Sequence, residues 1–277
     1  MKHRSVSIHS IVIYVTLLFT YAVAQTPKSH LDLDWQAPRR WVHVDNVDPQ
    51  KVQLFENSRK GWLATLHQDG QVLGDGRPLF WHARARTGAV QTYLTLYPFR
   101  LWADLDARNE MIVQTEKVVG EEAVKTYDLG DDALVPPHYS QIWRRLETSD
   151  IAWSGSDSLT ELSAVSGRLE VHQIDWWHWD EFLQLWNNVK EALVAQKYPL
   201  ACRVFTNAFG NSQGEYILLW LAPDSTQYRI APPIPKVLAQ ELGKRKSKEI
   251  VAMLKKIFPL RESYEIERRL DLSNLGK

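Results

Sequence analysis

Apolar and polar positions divide the chain into alternating strand-like and helix-like stretches. Trp41-Val42-His43-Val44-Asp45 alternates with the period of a half-buried strand. Asp48-Pro49 then supplies an N-cap and a proline suited to a first helical turn. Val52, Phe55, Trp62, Leu63 and Leu66 recur at helical spacing, and Gly70 stands where a C-terminal cap is expected. Leu79 to Arg86 and Gln91 to Tyr97 are predicted strands, joined as a hairpin around Thr87-Gly88. A helical region from about Asn109 to Leu134, broken near Gly120, and a strand from His138 to Glu147 complete the set. The rest of the chain repeats the order. Strand Leu169 to Ile174 and helix Asp180 to Ala195 come first, followed by a hairpin of Arg203 to Phe209 with Tyr216 to Leu221. A helical region from about Pro235 to Phe258 then carries Gly243, and the last strand is Tyr264 to Asp271.

The repetition extends to residues. Gln141-Ile142-Trp143-Arg144-Arg145-Leu146-Glu147 is echoed by Glu265-Ile266-Glu267-Arg268-Arg269-Leu270-Asp271, and Gln53-Leu54-Phe55-Glu56-Asn57 by Gln184-Leu185-Trp186-Asn187-Asn188. Val42-His43 is matched by Val171-His172. Echoes in one order at a near-constant offset indicate a duplicated unit. Each copy runs strand-helix-strand-strand-helix-strand, the ferredoxin-like order.

Two such units in one chain resemble the dimeric α+β barrel superfamily in a fused, tandem form, like its uncharacterised exported members. The resemblance spans nearly all of the chain after residue 24 and is topological, with no catalytic motif. It implies an α+β fold of two tandem ferredoxin-like (βαββαβ) units, 25–147 and 168–277, packed as a pseudo-dimeric barrel. The Ser/Thr/Asp-rich stretch 148–167 is the linker between them. Members of the superfamily include cofactor-independent monooxygenases, haem-degrading enzymes and haem peroxidases, so the fold alone selects no chemistry.

The N-terminus bears on location. Lys2 and Arg4 precede a mostly apolar stretch from Ile11 to Thr20, and Ala22-Val23-Ala24 offers a small-x-small cleavage site before Gln25. That is the layout of a signal peptide, residues 1–24, so the mature protein is expected to be exported, periplasmic or secreted, without a transmembrane segment. The 33 basic and 33 acidic residues balance, and losing Lys2 and Arg4 leaves a small net negative charge. Nucleic acid is therefore not an expected partner. Cys202 is the only cysteine, which excludes an intrachain disulfide and leaves packing to hold the fold. The 12 tryptophans supply large apolar surfaces for it.

Strand parity sorts candidate chemistry. If Val42, Val44, Leu79, Trp81, Leu94 and Leu96 pack under helices, then His43, His82, Arg84, Tyr93, Tyr97, Trp143 and Arg145 line the barrel interior, joined from the second half by His172, Phe205 and Trp220. An aromatic cavity with converging polar groups is the usual form of a small-molecule site, and arginines favour a carboxylate or other anion. This predicts an aromatic or carboxylated ligand held by Arg84, Tyr97, Arg145, His172 and Trp220. The alternative is a cofactor-independent oxygenase or isomerase-like enzyme with His43 or His82 as base and Tyr93 as a nearby hydroxyl. A third class is a non-catalytic structural or interaction protein. No metal and no cofactor are expected. Haem is disfavoured because neither later helical region carries a histidine, leaving His67 as the helical candidate.

Overall fold

The computed structural model describes residues 36–68, 79–85, 90–152, 164–209 and 214–272. Residues 1–24, Gly70 and Thr87-Gly88, on which a signal peptide, a helix cap and a hairpin turn were expected, lie outside them. Eight strands are present: β1 (Arg39–Val47), β2 (Leu79–Ala85), β3 (Gln91–Phe99), β4 (Tyr139–Arg145), β5 (Ser166–Gln173), β6 (Ala201–Phe209), β7 (Glu215–Ala222) and β8 (Leu260–Arg268). They close into one barrel in the order β1-β3-β2-β8-β5-β7-β6-β4, and every neighbouring pair is antiparallel. The first four strands stand side by side as β4-β1-β3-β2 and the last four as β8-β5-β7-β6, the same spatial order twice. Closure leaves no strand edge open to another chain. The seams are β2 with β8 and β4 with β6.

Helices cover the outside. They are α1 (Val52–Gln68), α2 (Trp102–Val119) and α3 (Glu121–Asp128) after the first strands, then α4 (Trp179–Ala195), α5 (Ser225–Ile230), α6 (Ile234–Leu242) and α7 (Lys244–Ile257). Asp48 opens the turn into α1, its carboxylate accepting the Gln50 backbone N–H at 2.9 Å. Gly120 (φ 85°) separates α2 from α3 and Gly243 (φ 82°) separates α6 from α7. Both glycines break the later helical region of their half by taking a backbone conformation that a side chain would strain. The six-residue α5 is not foreshadowed by periodicity; Asp224 caps it by accepting the Gln227 N–H at 2.8 Å. No helix among the described residues is long and apolar enough to cross a membrane.

Three apolar clusters hold the barrel. The first fills the interior with residues of both halves, including Val42, Leu96, Trp143, Phe205, Leu219 and Ile266. A second, larger one joins the outer face of β6 and β7 to α4, α6 and α7, around Phe182, Trp186, Val204, Trp220, Leu238 and Ile257. The third is small, built from Val47, Phe55, Tyr93, Ala133 and Leu272 beneath α1. β7 is buried without interruption from Ile217 to Ala222, as a strand covered on both faces must be.

The chain end after β8 is tied back to α1 by charge. Arg269 Nη2 donates to Glu56 Oε2 at 2.8 Å and to Asp271 Oδ2 at 2.8 Å, and Lys60 Nζ lies 2.8 Å from Asp271. The Arg269 hydrogen bonds hold the carboxyls of Glu56 and Asp271 below their ordinary values of 4.5 and 3.8. Depressed carboxyls stabilise the fold above the unfolded-state values and lose that contribution as pH falls through the folded ones. Replacing Arg269 by Ala is expected to cost roughly 1.5 kcal/mol near neutrality. In urea titrations the gap between wild type and R269A should stay constant from about pH 7 to pH 5 and close below about pH 4. A gap that widens on acidification would contradict this assignment.

Candidate functional site

The barrel interior takes the apolar row of β1, β3, β5, β7 and β8, which reverses the faces expected for those strands. Val42, Val44, Leu94 and Leu96 point inward with Leu169, Ile217 and Ile266. In the closed barrel these positions are surrounded by sheet, where a charged group without a partner is costly. The helices of the first half instead cover a row that tolerates polar groups. His43, Tyr93 and Tyr97 lie on that outer row, and the register of β2 places His82 opposite Tyr93 and Arg84 opposite Gln91 on the same row. The register thus puts His43, His82 and Tyr93 on one side of the sheet, the side away from the barrel interior. Tyr93 Oη donates to Glu56 Oε1 at 2.7 Å, and burial followed by the Glu56 interaction raises its phenol. Tyr97 lies with its ring 5.4 Å from the Arg108 guanidinium.

The inner row does include Trp143 and Phe205, as expected. Arg145 is already engaged: its Nε and Nη2 both lie 2.7 Å from Asp150 Oδ2, and its Nη1 donates to Gln36 at 2.9 Å. A cavity of about 170 Å³ remains at one end of the interior, lined in part by Tyr139, Glu215, Glu262 and Tyr264. Asn207 Nδ2 donates to Glu215 Oε2 at 2.6 Å, and Tyr264 donates to Glu262. Burial raises the Glu215 carboxyl, Asn207 lowers it, and the charge of Glu262 raises it further. The expected anion-binding interior is therefore corrected: the cavity is lined by the carboxyls of Glu215 and Glu262, and Tyr264 already donates to Glu262, which leaves an anion disfavoured there.

His172 and Trp220, also expected inside, lie on the outer row of the second half, where they meet a larger gap. This gap, about 320 Å³, opens between β5, β7 and the helices α6 and α7. Its lining is mostly apolar, from Trp186, Leu238, Val251, Leu254 and Phe258, with Lys255 also present. His172 lies flat on Phe258, ring centroids 3.9 Å apart and planes 2° from parallel. Its Nδ1 is 3.1 Å from the Phe258 carbonyl oxygen, which can only accept. In the neutral ring Nδ1 therefore carries the proton and Nε2 presents a lone pair. Nε2 is buried and has no hydrogen-bond partner.

Glu170, two residues earlier and on the same face, completes the polar floor. Its Oε2 accepts the Trp220 indole N–H at 2.8 Å, and Arg168 Nε lies 2.9 Å from its Oε1. The 3.7 Å between His172 Nε2 and Glu170 Oε2 exceeds hydrogen-bonding distance, and the two form an ion pair only when the ring is protonated. Burial alone raises the Glu170 carboxyl, but His172, Arg168 and Trp220 together hold it below its ordinary value. β5 shifts register against β8 between Val171 and His172. Such irregularities re-aim side chains next to sites. Sequence reasoning singled out His172 and Trp220 for a different place, the barrel interior, and passed over Glu170, which parity two residues from His172 puts on the same face.

Solved structures share this architecture. A candidate monooxygenase from Fusobacterium nucleatum subsp. nucleatum superposes with a TM-score of 0.51 at 9% identity, covering 84% of this chain and 92% of that one. The chain has a dimeric α+β barrel fold. Weaker likenesses with that fold are an anthrone oxidase-like protein (TM-score 0.44, 12% identity, 86% and 93% covered) and a chlorite dismutase from Candidatus Nitrospira defluvii (0.46, 11%, 87% and 96%). No family model and no curated protein matches the sequence. At such identities the likeness of this barrel to the others is one of fold, and the chemistry rests on its own residues.

Proposed function

We propose that the protein binds a small, mainly aromatic molecule carrying a hydroxyl, in the gap between its second sheet and α6 and α7. The observation that carries this reading is the buried Nε2 of His172, without a hydrogen-bond partner, on a mostly apolar wall. A buried acceptor without a donor is costly, and a ligand O–H directed at it removes that cost. A phenol or enol matches: its ring fills the apolar gap, and its hydroxyl donates to His172. Lys255 on the lining suits a ligand that also bears a carboxylate.

The test is calorimetric titration of a panel of phenols, naphthols and hydroxybenzoates against wild type, H172F, V251W and Y139F. His172→Phe keeps a flat ring on Phe258 but removes the acceptor, and should weaken binding about tenfold or more, the scale of an unsatisfied polar group. Val251→Trp should block the gap. Tyr139→Phe, in the barrel interior, should leave affinity unchanged. Equal affinity in all four proteins, or none in wild type, contradicts the reading; the latter favours a structural or interaction role.

The Glu170 carboxylate beside His172 favours a second reading, a cofactor-independent oxygenase or isomerase-like enzyme. His172 Nε2 would take the ligand's hydroxyl proton, and the resulting imidazolium would be held by Glu170 and the Phe258 carbonyl. The phenolate left behind is the electron-rich partner that dioxygen requires. Oxygen consumption abolished in H172F would separate enzyme from binder.

The wider arrangement is part of the same proposal. The repeated strand order supports two tandem ferredoxin-like units, 25–147 and 168–277, joined by 148–167. The signal-like N-terminus supports export with cleavage after Ala24. N-terminal sequencing of the exported protein should begin at Gln25; an intact Met1 form held in membrane would contradict export.

A further inference from the structure

We propose that His43, Asp45 and His138 form a binding site for a divalent first-row transition metal ion, on the outer face of the first half and independent of the gap around His172. One ligand atom from each residue lies within 4.8 Å of the other two. His43 and Asp45 are two apart on β1 and so project from the same face; His138 stands just before β4, which pairs with β1.

Three observations distinguish this cluster from an ordinary ion pair. Asp45 is buried, with a side chain 5% exposed, and its Oδ1 has no hydrogen-bond donor. That same oxygen lies 3.0 Å from His43 Nε2. The approach is close enough for a hydrogen bond, yet Oδ1 is satisfied by none. Two ligands at about 2.1 Å from one ion stand about 3.0 Å apart at right angles and about 3.4 Å apart at the tetrahedral angle, a spread within reach of a small side-chain adjustment here. The separation is thus that of two adjacent ligands of a metal. His43 is also held from behind: its Nδ1 lies 2.8 Å from Ser140 Oγ, and its ring stacks on Trp41 at 5.5 Å with planes 4° apart. A hydrogen bond on the far nitrogen, which fixes the ring and directs the other nitrogen at the ion, is the usual support of a histidine ligand.

The donor set selects the ion. Two imidazoles and one carboxylate suit zinc, cobalt, nickel or iron rather than calcium or magnesium, which take oxygen ligands. Three protein ligands leave further positions for water or substrate. His138 is exposed and its ring meets His43 edge-on at 6.2 Å, so it can close the site by a side-chain movement. Cys202, the one thiolate ligand the chain could offer, is fully buried with its thiol pushed up by burial, and does not compete.

The experiment uses the untagged full chain. Equilibrium dialysis against Zn2+ with elemental analysis should give one ion per chain, and Co2+ should produce visible d–d absorption from nitrogen and oxygen ligands. H138A should lower Zn2+ affinity about tenfold or more, and S140A, which leaves every ligand in place, should also weaken it by about tenfold. His138 is exposed, so H138A should fold, and circular dichroism checks both variants. D45N should abolish the cobalt bands. Zn2+ binding of equal strength in wild type, H138A and S140A would overturn the assignment. So would no Zn2+ or Co2+ uptake by the folded wild type, or a preference for Ca2+ or Mg2+.

Discussion

Trp220→Ala is expected to lower the stability of the protein by about 3–5 kcal/mol, the scale of truncating a fully buried tryptophan. Trp220 is 1% exposed and meets Trp186 and Tyr198 edge-on at 6.3 and 6.0 Å, at the centre of the cluster that joins the second sheet to its helices. Its indole N–H also supplies a hydrogen bond to the partly buried Glu170. The alanine variant therefore leaves a cavity and removes the donor from a partly buried carboxylate at once. Trp220→Phe separates the two contributions, because it fills most of the space and removes only the N–H. Urea denaturation should rank wild type above W220F and W220F above W220A. Equal stability of wild type and W220A would mean that this cluster does not hold the second half together.

The second large effect is at Gly167, where β5 passes β7. A Cβ there would lie 1.9 Å from the Trp220 carbonyl oxygen, and backbone rather than a movable side chain is what it meets. Gly167 pairs with Leu221 on one side and Ile266 on the other, so β5 cannot shift without disturbing both neighbours. Gly167→Ala should destabilise by about 3 kcal/mol or more, the upper end of overpacking costs. Loss of pairing there also moves Glu170 and His172, three and five residues along the strand, so ligand binding should fail with stability. A change within about 0.5 kcal/mol, the range of a surface substitution, would show that the strands separate easily at this point.

Much of the fold was legible because period and punctuation are local. The alternation at Trp41 to Asp45 marked β1, the Asp48-Pro49 pair marked the approach to α1, and Gly120 and Gly243 marked the breaks in the later helices. Val42-His43 and Val171-His172 fall at matching places on β1 and β5, with each valine facing inward and each histidine outward. What period cannot say is which side of a strand is inside. The choice depends on closure, a property of all eight strands together, and a two-layer picture wrongly assigns the more apolar row to the helices.

The candidate site was legible residue by residue but not as a place. His172 and Trp220 were expected to touch a ligand across the barrel interior, yet the space they line exists only where α6 and α7 stand off from the second sheet. Arg145 looked available for an anion because Asp150, its partner, sits beyond the end of β4. An arginine's partner is set by tertiary packing, and composition does not reveal it.

The most direct measurement is a crystal structure of the protein with the tightest-binding phenol from the panel. The account predicts ligand density in the gap between β5, β7, α6 and α7, with the hydroxyl within hydrogen-bonding distance of His172 Nε2 and the ring against Trp186 and Phe258. Density inside the barrel, among Tyr139, Glu215 and Tyr264, with the gap around His172 unchanged, would contradict it.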